Sequence, residues 1–216
     1  LYREAGDFST SYPEDSQTFP IKFDRYRYYA ILAVAFLVIP FLINDYWANA
    51  VLVPFLIYSI AAIGLNILTG YCGQVSLGTG GFMAVGAYAF YKLMTAFPDI
   101  SIMIHVLLAG GVTAAVVTLF GLPSLRIKGF YLAVATLAAQ FFLVWMFNKV
   151  PWFYNYSMTG MINSPERTVL GIIVTGPNTD AWAKYMVCLI FVTICAYLAR
   201  NMTRGSVGRK WMAIRD

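Results

Sequence analysis

Runs of about twenty apolar residues with almost no charge inside them recur along this chain, and they constrain the fold more than any motif does. A helix rises ~1.5 Å per residue, so a run of that length crosses the ~30 Å hydrocarbon core of a bilayer. Six candidates are read, at 28–43, 51–68, 77–97, 102–122, 131–147 and 182–198. None alternates apolar with polar residues at period two, which argues against an outer-membrane barrel. With 60% apolar residues and 12% charged, the chain is unlike a soluble domain. The fold expected is all-α, a polytopic transmembrane helical bundle of about six spans in a lipid bilayer.

Charge sets the orientation. Residues 1–27 carry Glu4, Asp7, Glu14 and Asp15 among Ser, Tyr and Pro, unlike a secretory signal, whose basic end leads directly into a short apolar core. They read as a cytosolic N-terminal tail. A membrane domain over 28–199 follows, with one long outer segment at 148–180, and then a cytosolic stretch at 200–216. If six helices alternate from an inside tail, eleven of the fifteen Lys and Arg residues fall inside: Arg3, Lys22, Arg25, Arg27, Arg126, Lys128, Arg200, Arg204, Arg209, Lys210 and Arg215. Lys92, Lys149, Arg167 and Lys184 remain outside. The positive-inside rule supports this orientation over its inverse, and the net charge of +5 then needs no nucleic acid. The chain begins at Leu1 and stops within a basic, helix-compatible stretch, so both ends are expected to be truncated.

The stretch LNILTGYCGQVSLGTGGFMAVGAYAFY, 65–91, crowds Gly70, Gly73, Gly78, Gly80, Gly81 and Gly86 between two spans. In a membrane such glycines permit either close helix crossing or a broken helix whose freed backbone groups are shielded by protein or a watery cavity. Gln74, Ser76 and Thr79 add donors and acceptors there, and Asn66 lies just before. Thr136 and Gln140 share a face of the fifth span at i and i+4. These six polar residues are candidates for a hydrophilic route for a zwitterionic solute, with interhelical hydrogen bonding as the plain alternative. Gly110 with Ala114, Gly111 with Ala115 and Ala135 with Ala139 are small-xxx-small pairs, expected to serve helix packing.

Several chemistries are set aside. Gly78 and Gly80 form a GxG with no preceding strand, and no phosphate-loop motif occurs, so ATP hydrolysis would belong to another polypeptide. No catalytic residue, cofactor or metal is assigned. His105 is the sole histidine and is read as a satisfied interfacial side chain. No carboxylate lies inside a predicted span, against a proton relay. Cys188 and Cys195 sit about 10 Å apart along one helix, too far to bridge, and with Cys72 they read as small apolar fillers. The outer stretch 151–171, aromatic but interrupted by Gly160 and Pro165, is expected to lie on the membrane surface or form a short helix.

The segment 65–93 resembles the signature of M-type permease subunits of bacterial branched-chain amino acid ABC importers. LRIKGFYLAVATLAAQF, 125–141, looks like that family's LxxxGxYLAxxTLxxxE region, and GRKWMAIRD, 208–216, resembles the start of its cytosolic coupling segment. The resemblance implies a type I importer permease in the bacterial inner membrane, its outer segment periplasmic. It further implies a second permease subunit, two cytosolic ATPase subunits holding ATP and Mg, a periplasmic solute-binding protein and an amino-acid substrate. It suggests that Arg209, Ala213, Ile214, Arg215 and Asp216 approach a groove on an ATPase subunit. Two departures stand out: Thr159-Gly160-Met161 replaces the usual Thr-Gly-Gly, and Gln140-Phe141 stands where an acid is common. Cys72 in GYCG is reminiscent of urea-importer permeases, which makes urea or short amides the alternative solute. A passive channel with a re-entrant glycine-rich segment is the alternative of a different class.

Overall fold

The computed structural model describes residues 22–124, 130–159, 162–169 and 172–215. The expected tail up to residue 21, Arg126, Lys128, Gly160, Met161, Gly171 and Asp216 lie outside the described residues. The described elements are α1 (Phe23–Leu42), α2 (Asp45–Tyr71), α3 (Thr79–Ala96), α4 (Ile102–Ser124), α5 (Phe130–Lys149), β1 (Arg167–Val169), β2 (Ile172–Thr175), α6 (Ala181–Arg204) and α7 (Ser206–Arg215). Among these residues five helices, α1, α2, α4, α5 and α6, are long and apolar enough to cross a membrane. The remaining expected span, 77–97, forms α3. Its 18 residues include three glycines and Lys92, which lowers its apolar character below that of the other five.

The chain divides into two units, Leu1–Ile43 and Asn44–Asp216. The first contains α1, in which a π turn at Val34–Val38 precedes Pro40. In the second, α2 carries a π turn at Ala48–Leu52 before Pro54. Proline supplies no N–H and crowds the carbonyl four residues back. Those carbonyls, on Phe36 and Ala50, fall inside the π turns, where the wider backbone ring accommodates the lost bond.

The core of the second unit lies where α3 packs against α4 and α5. Val85, Leu143 and Phe147 are buried there, with Phe82, Tyr88, Val116, Phe120 and Met146 around them. Tyr88 stacks on Phe147 with ring centroids 4.4 Å apart, and Phe153 meets Phe147 edge-on at 4.8 Å. Such pairs add about 0.5–1.5 kcal/mol each beyond the area they bury. Along this seam Gly78 lies by Thr136, Gly81 by Gln140, and Tyr91 by Asn155. Residue numbers therefore rise together, and α3 and α5 run parallel. Lys184 at the start of α6 bonds Asn49 at the start of α2, at 3.4 Å.

Of the two expectations for 151–171, a membrane-surface stretch or a short helix, the helix does not form among the described residues. The outer segment forms turns over 151–156 and then an antiparallel hairpin in which Arg167 pairs with Thr175, Thr168 with Ile173 and Val169 with Ile172. Thr168, Val169, Ile172, Ile173, Val174 and Thr175 are β-branched, and such side chains fit a half-buried pleated surface better than a helix. Arg167 then reaches from β1 to the C-terminal end of α3, donating from Nη2 to the Met94 carbonyl at 2.9 Å and from Nη1 to that of Pro98. Lys92 bonds Asn155 and lies 4.3 Å from the Trp152 ring centre, while Asn155 donates to the Tyr91 hydroxyl at 2.7 Å.

Candidate functional site

Between α2 and α3 the helix breaks. The end of α2 widens into a π turn at Ile67–Tyr71, with the Cys72 N–H reaching the Ile67 carbonyl at 3.2 Å. Gly73 follows with φ of +66°, a left-handed conformation that glycine adopts without the Cβ clash other residues meet. Gln74 N–H then folds back to the Leu68 carbonyl at 3.1 Å. Residues 72–78 are non-helical, and two further N–H groups find partners there: Leu77 N–H donates to Thr136 Oγ1 at 3.0 Å, and Gly78 N–H to Ser76 Oγ at 3.4 Å. Of the two readings of the glycine-rich stretch, broken helix and close crossing, the structure contains both.

The crossing is tight at two glycines. A Cβ on Gly78 would sit 2.8 Å from the Thr136 carbonyl oxygen, and one on Gly81 would sit 3.0 Å from Gln140 Cα. At Gly80 the nearest atom is Gln140 Oε1 at 3.4 Å, and at Gly86 it is Thr113 Oγ1 at 3.2 Å. Gly70 packs under its own Asn66 side chain, and Gly73 under Arg215. By contrast, Gly110 and Gly111 have nothing within 4 Å, so the packing role expected of their small-xxx-small pairs is not realised within the described chain.

The break, with α2, α3, α4 and α5, walls a cavity of about 1010 Å³. Gln74, Ser76, Thr79 and Thr136 all line it, so four of the six polar candidates from the sequence come together. Asn66 and Gln140 stand outside the lining. Thr136 also has the structural role offered as the alternative, since its hydroxyl donates to the Ala133 carbonyl at 2.9 Å while accepting from Leu77. Thr113, which the sequence reading passed over, lines the cavity from α4 and donates to the Ala109 carbonyl at 2.7 Å. Its signal was a hydroxyl three residues beyond Gly110 in a mostly apolar helix. The remaining lining is aliphatic, aromatic or glycine, including Phe82, Met83, Phe90 and Phe120, and among the described residues no ionisable side chain contributes. Among the described residues no group of three or more His, Cys, Asp or Glu is placed to hold a metal.

His105 is not the satisfied residue expected. It is fully buried; Nδ1 meets the Ser101 carbonyl at 3.1 Å, which makes Nδ1 the protonated nitrogen, while Nε2 has no partner among the described residues. All three cysteines are free.

At the opposite end of the second unit from the hairpin, α6 ends at Gly205, whose N–H reaches the Asn201 carbonyl at 3.1 Å. A Cβ on Gly208 would collide with the Thr203 backbone, so glycine alone fits this elbow into α7. Arg209, Ala213 and Ile214 are exposed along α7. Arg215 turns back, its Nη1 donating to the Gly70 carbonyl at 3.3 Å.

Residues 48–216 match the family model described as branched-chain amino acid transport system / permease component. The chain is 30% identical to the high-affinity branched-chain amino acid transport system permease protein LivM of Salmonella typhimurium, over 74% of this chain and 42% of that protein. It is 28% identical to the protein of the same name from Escherichia coli, over 86% of this chain and 47% of that one. It thus spans a little under half the length of these curated relatives. No solved structure gives a significant match. With a broken helix beside a neutral cavity, five membrane-length helices and a family match over most of its length, the chain belongs to the permease components of branched-chain amino acid transport systems.

Proposed function

We propose that this chain forms the translocation half-pathway of an ATP-driven importer for branched-chain amino acids, acting as one of two permease subunits. The cavity at the α2–α3 break carries the reading. Its volume of about 1010 Å³ admits a small amino acid, and its aliphatic and aromatic wall suits a branched side chain. Gln74, Ser76, Thr79, Thr113 and Thr136 offer neutral hydrogen bonds to the charged ends. A wall without fixed charge binds a zwitterion weakly enough to release it, as conduction requires. Urea presents no apolar surface to such a wall, so the lining supports an aliphatic amino acid over short amides.

The same geometry supports a finer topology. Since α3 runs parallel to α5 along their shared seam, a membrane crossed by α5 is crossed by α3 as well, which supports six spans. Within the second unit Lys92, Lys149, Arg167 and Lys184 lie toward the hairpin and Arg200, Arg204, Arg209, Lys210 and Arg215 toward the other end, in keeping with a cytosolic N-terminus, an outer segment at 148–180 and a cytosolic stretch from residue 200. Arg209, Ala213 and Ile214, exposed on α7, are the residues proposed to meet an ATPase subunit. A periplasmic binding protein would deliver the solute.

The test is reconstitution of the full-length protein with its partner permease, ATPases and binding protein in vesicles. Leucine uptake that requires both ATP and the binding protein is the expected result. Solute flux down its gradient at channel rates, from the protein without any ATPase, would support the passive-channel alternative and end this reading.

A further inference from the structure

We infer that Arg215 is a positioning residue that ties α7 to the break between α2 and α3, so that displacement of α7 moves the Gln74–Ser76 wall of the cavity. This rests on the permease reading for its consequence and on independent geometry for its existence. The Arg215 stem lies across Gly73: a Cβ built on that glycine would be 2.5 Å from Arg215 Cγ and 3.4 Å from both Cβ and Cδ. Any side chain at Gly73 would therefore push the arginine away, and the backbone there is left-handed as well. From this saddle the guanidinium reaches the Gly70 carbonyl. Gly70 belongs to the last turn of α2, where carbonyls lack intrahelical partners and the helix dipole favours a cation.

The two glycines that Arg215 holds flank Cys72, and the residue after Gly73 is Gln74, the first residue of the break to line the cavity. At its other end α7 is fixed by the Gly205–Gly208 elbow, where the Arg209 N–H meets the Gly205 carbonyl at 3.4 Å and Gly208 lies against the Thr203 backbone. The helix thus bridges the inner end of α6 and the inner end of α2. Coupling between distant sites travels through such contiguous contacts. Arg215 meets the break at Gly70 and Gly73.

Cys72 supplies the readout. In full-length protein whose other cysteines are replaced by serine, the rate of Cys72 modification by a maleimide is measured without ATPases present, which removes any contribution of Arg215 to subunit docking. R215A is expected to speed labelling about fivefold, the effect of losing one ordinary hydrogen bond, and R215K, which keeps a stem and a donor, is expected to stay within about twofold of the parent. In the assembled transporter, leucine imported per ATP hydrolysed should fall in R215A and recover in R215K. Equal labelling in parent, R215A and R215K overturns the tie. Should R215A fail to assemble, R215M keeps the stem over Gly73 without the donor; faster labelling supports the tie, and parental labelling overturns it. A parent protein that labels as expected and imports nothing supports the tie while removing the permease reading.

Discussion

Replacing Gly81 with alanine tests the crossing of α3 over α5 where it is tightest within the α3 helix. The added Cβ would lie 3.0 Å from Gln140 Cα and 3.4 Å from its Cβ and Cγ. The closest of these atoms belongs to the backbone, so no rotamer change relieves the contact and one helix must move. Overpacking of this kind costs about 1–3 kcal/mol. Alanine also favours a helix over glycine by roughly 1 kcal/mol, which obscures the cost in a single measurement. Gly110 in α4 provides the reference, since a Cβ there meets nothing within 4 Å. Gly81 lies in the first turn of α3, where alanine gains no more than at Gly110 in the interior of α4, so G81A should be less stable than G110A by at least the overpacking cost, about 2 kcal/mol. At ~2–4 °C per kcal/mol for a domain of 150–250 residues, G81A should melt several degrees below G110A. Scanning fluorimetry of the full-length variants in one detergent reads this directly. G80A, facing only the Gln140 amide oxygen at 3.4 Å, should fall between them. A G81A protein that melts with or above G110A would refute the close crossing.

Further expectations concern the break, the hairpin and the exposed helix. T136V removes the acceptor for the Leu77 N–H and should lower stability by about 1–3 kcal/mol, whereas T136S should stay near the parent in the same melting assay. R167Q loses the charged donors to the Met94 and Pro98 carbonyls, worth roughly 1.5–3 kcal/mol for a bond to a charged group, and should expose the hairpin to protease added on its side of the bilayer. Unchanged cleavage of R167Q would show that the clamp is dispensable. R209E reverses an exposed charge on α7 and should reduce ATPase co-purification while membrane insertion is retained; undiminished recovery would remove Arg209 from the docking surface.

Much of the helical layout was legible in the residues themselves. The six apolar runs became α1 to α6, and the ends that moved, such as 51–68 extending to Asp45–Tyr71, are those where polar or aromatic residues continue a helix beyond the hydrophobic window. Helical length and hydropathy are local properties, so they are readable without knowing what packs where. The hairpin is not legible in the same way, because the β-branched residues beyond Pro165 form two short runs next to a longer aromatic stretch interrupted by Gly160. Strands of three and four residues are a weak signal beside twenty-residue runs.

The candidate site divides along the same line. Gln74, Ser76, Thr79 and Thr136 were visible as polar groups in apolar surroundings, and the glycine crowding announced a special backbone. Which glycine meets a neighbour was not visible: a Cβ on Gly81 would press on Gln140, and one on Gly110 would meet nothing within 4 Å among the described residues, although both sit in small-residue patterns. Nor did sequence reveal that Arg215, 142 residues beyond Gly73, would lie across it. The sequence determined that this chain makes membrane-length helices with a break among glycines, because hydropathy and backbone freedom belong to each residue. Only the tertiary structure decided which faces of those helices form the cavity and which basic side chain reaches back to the break, because these depend on helix rotation and crossing, fixed by contacts between residues far apart in the chain.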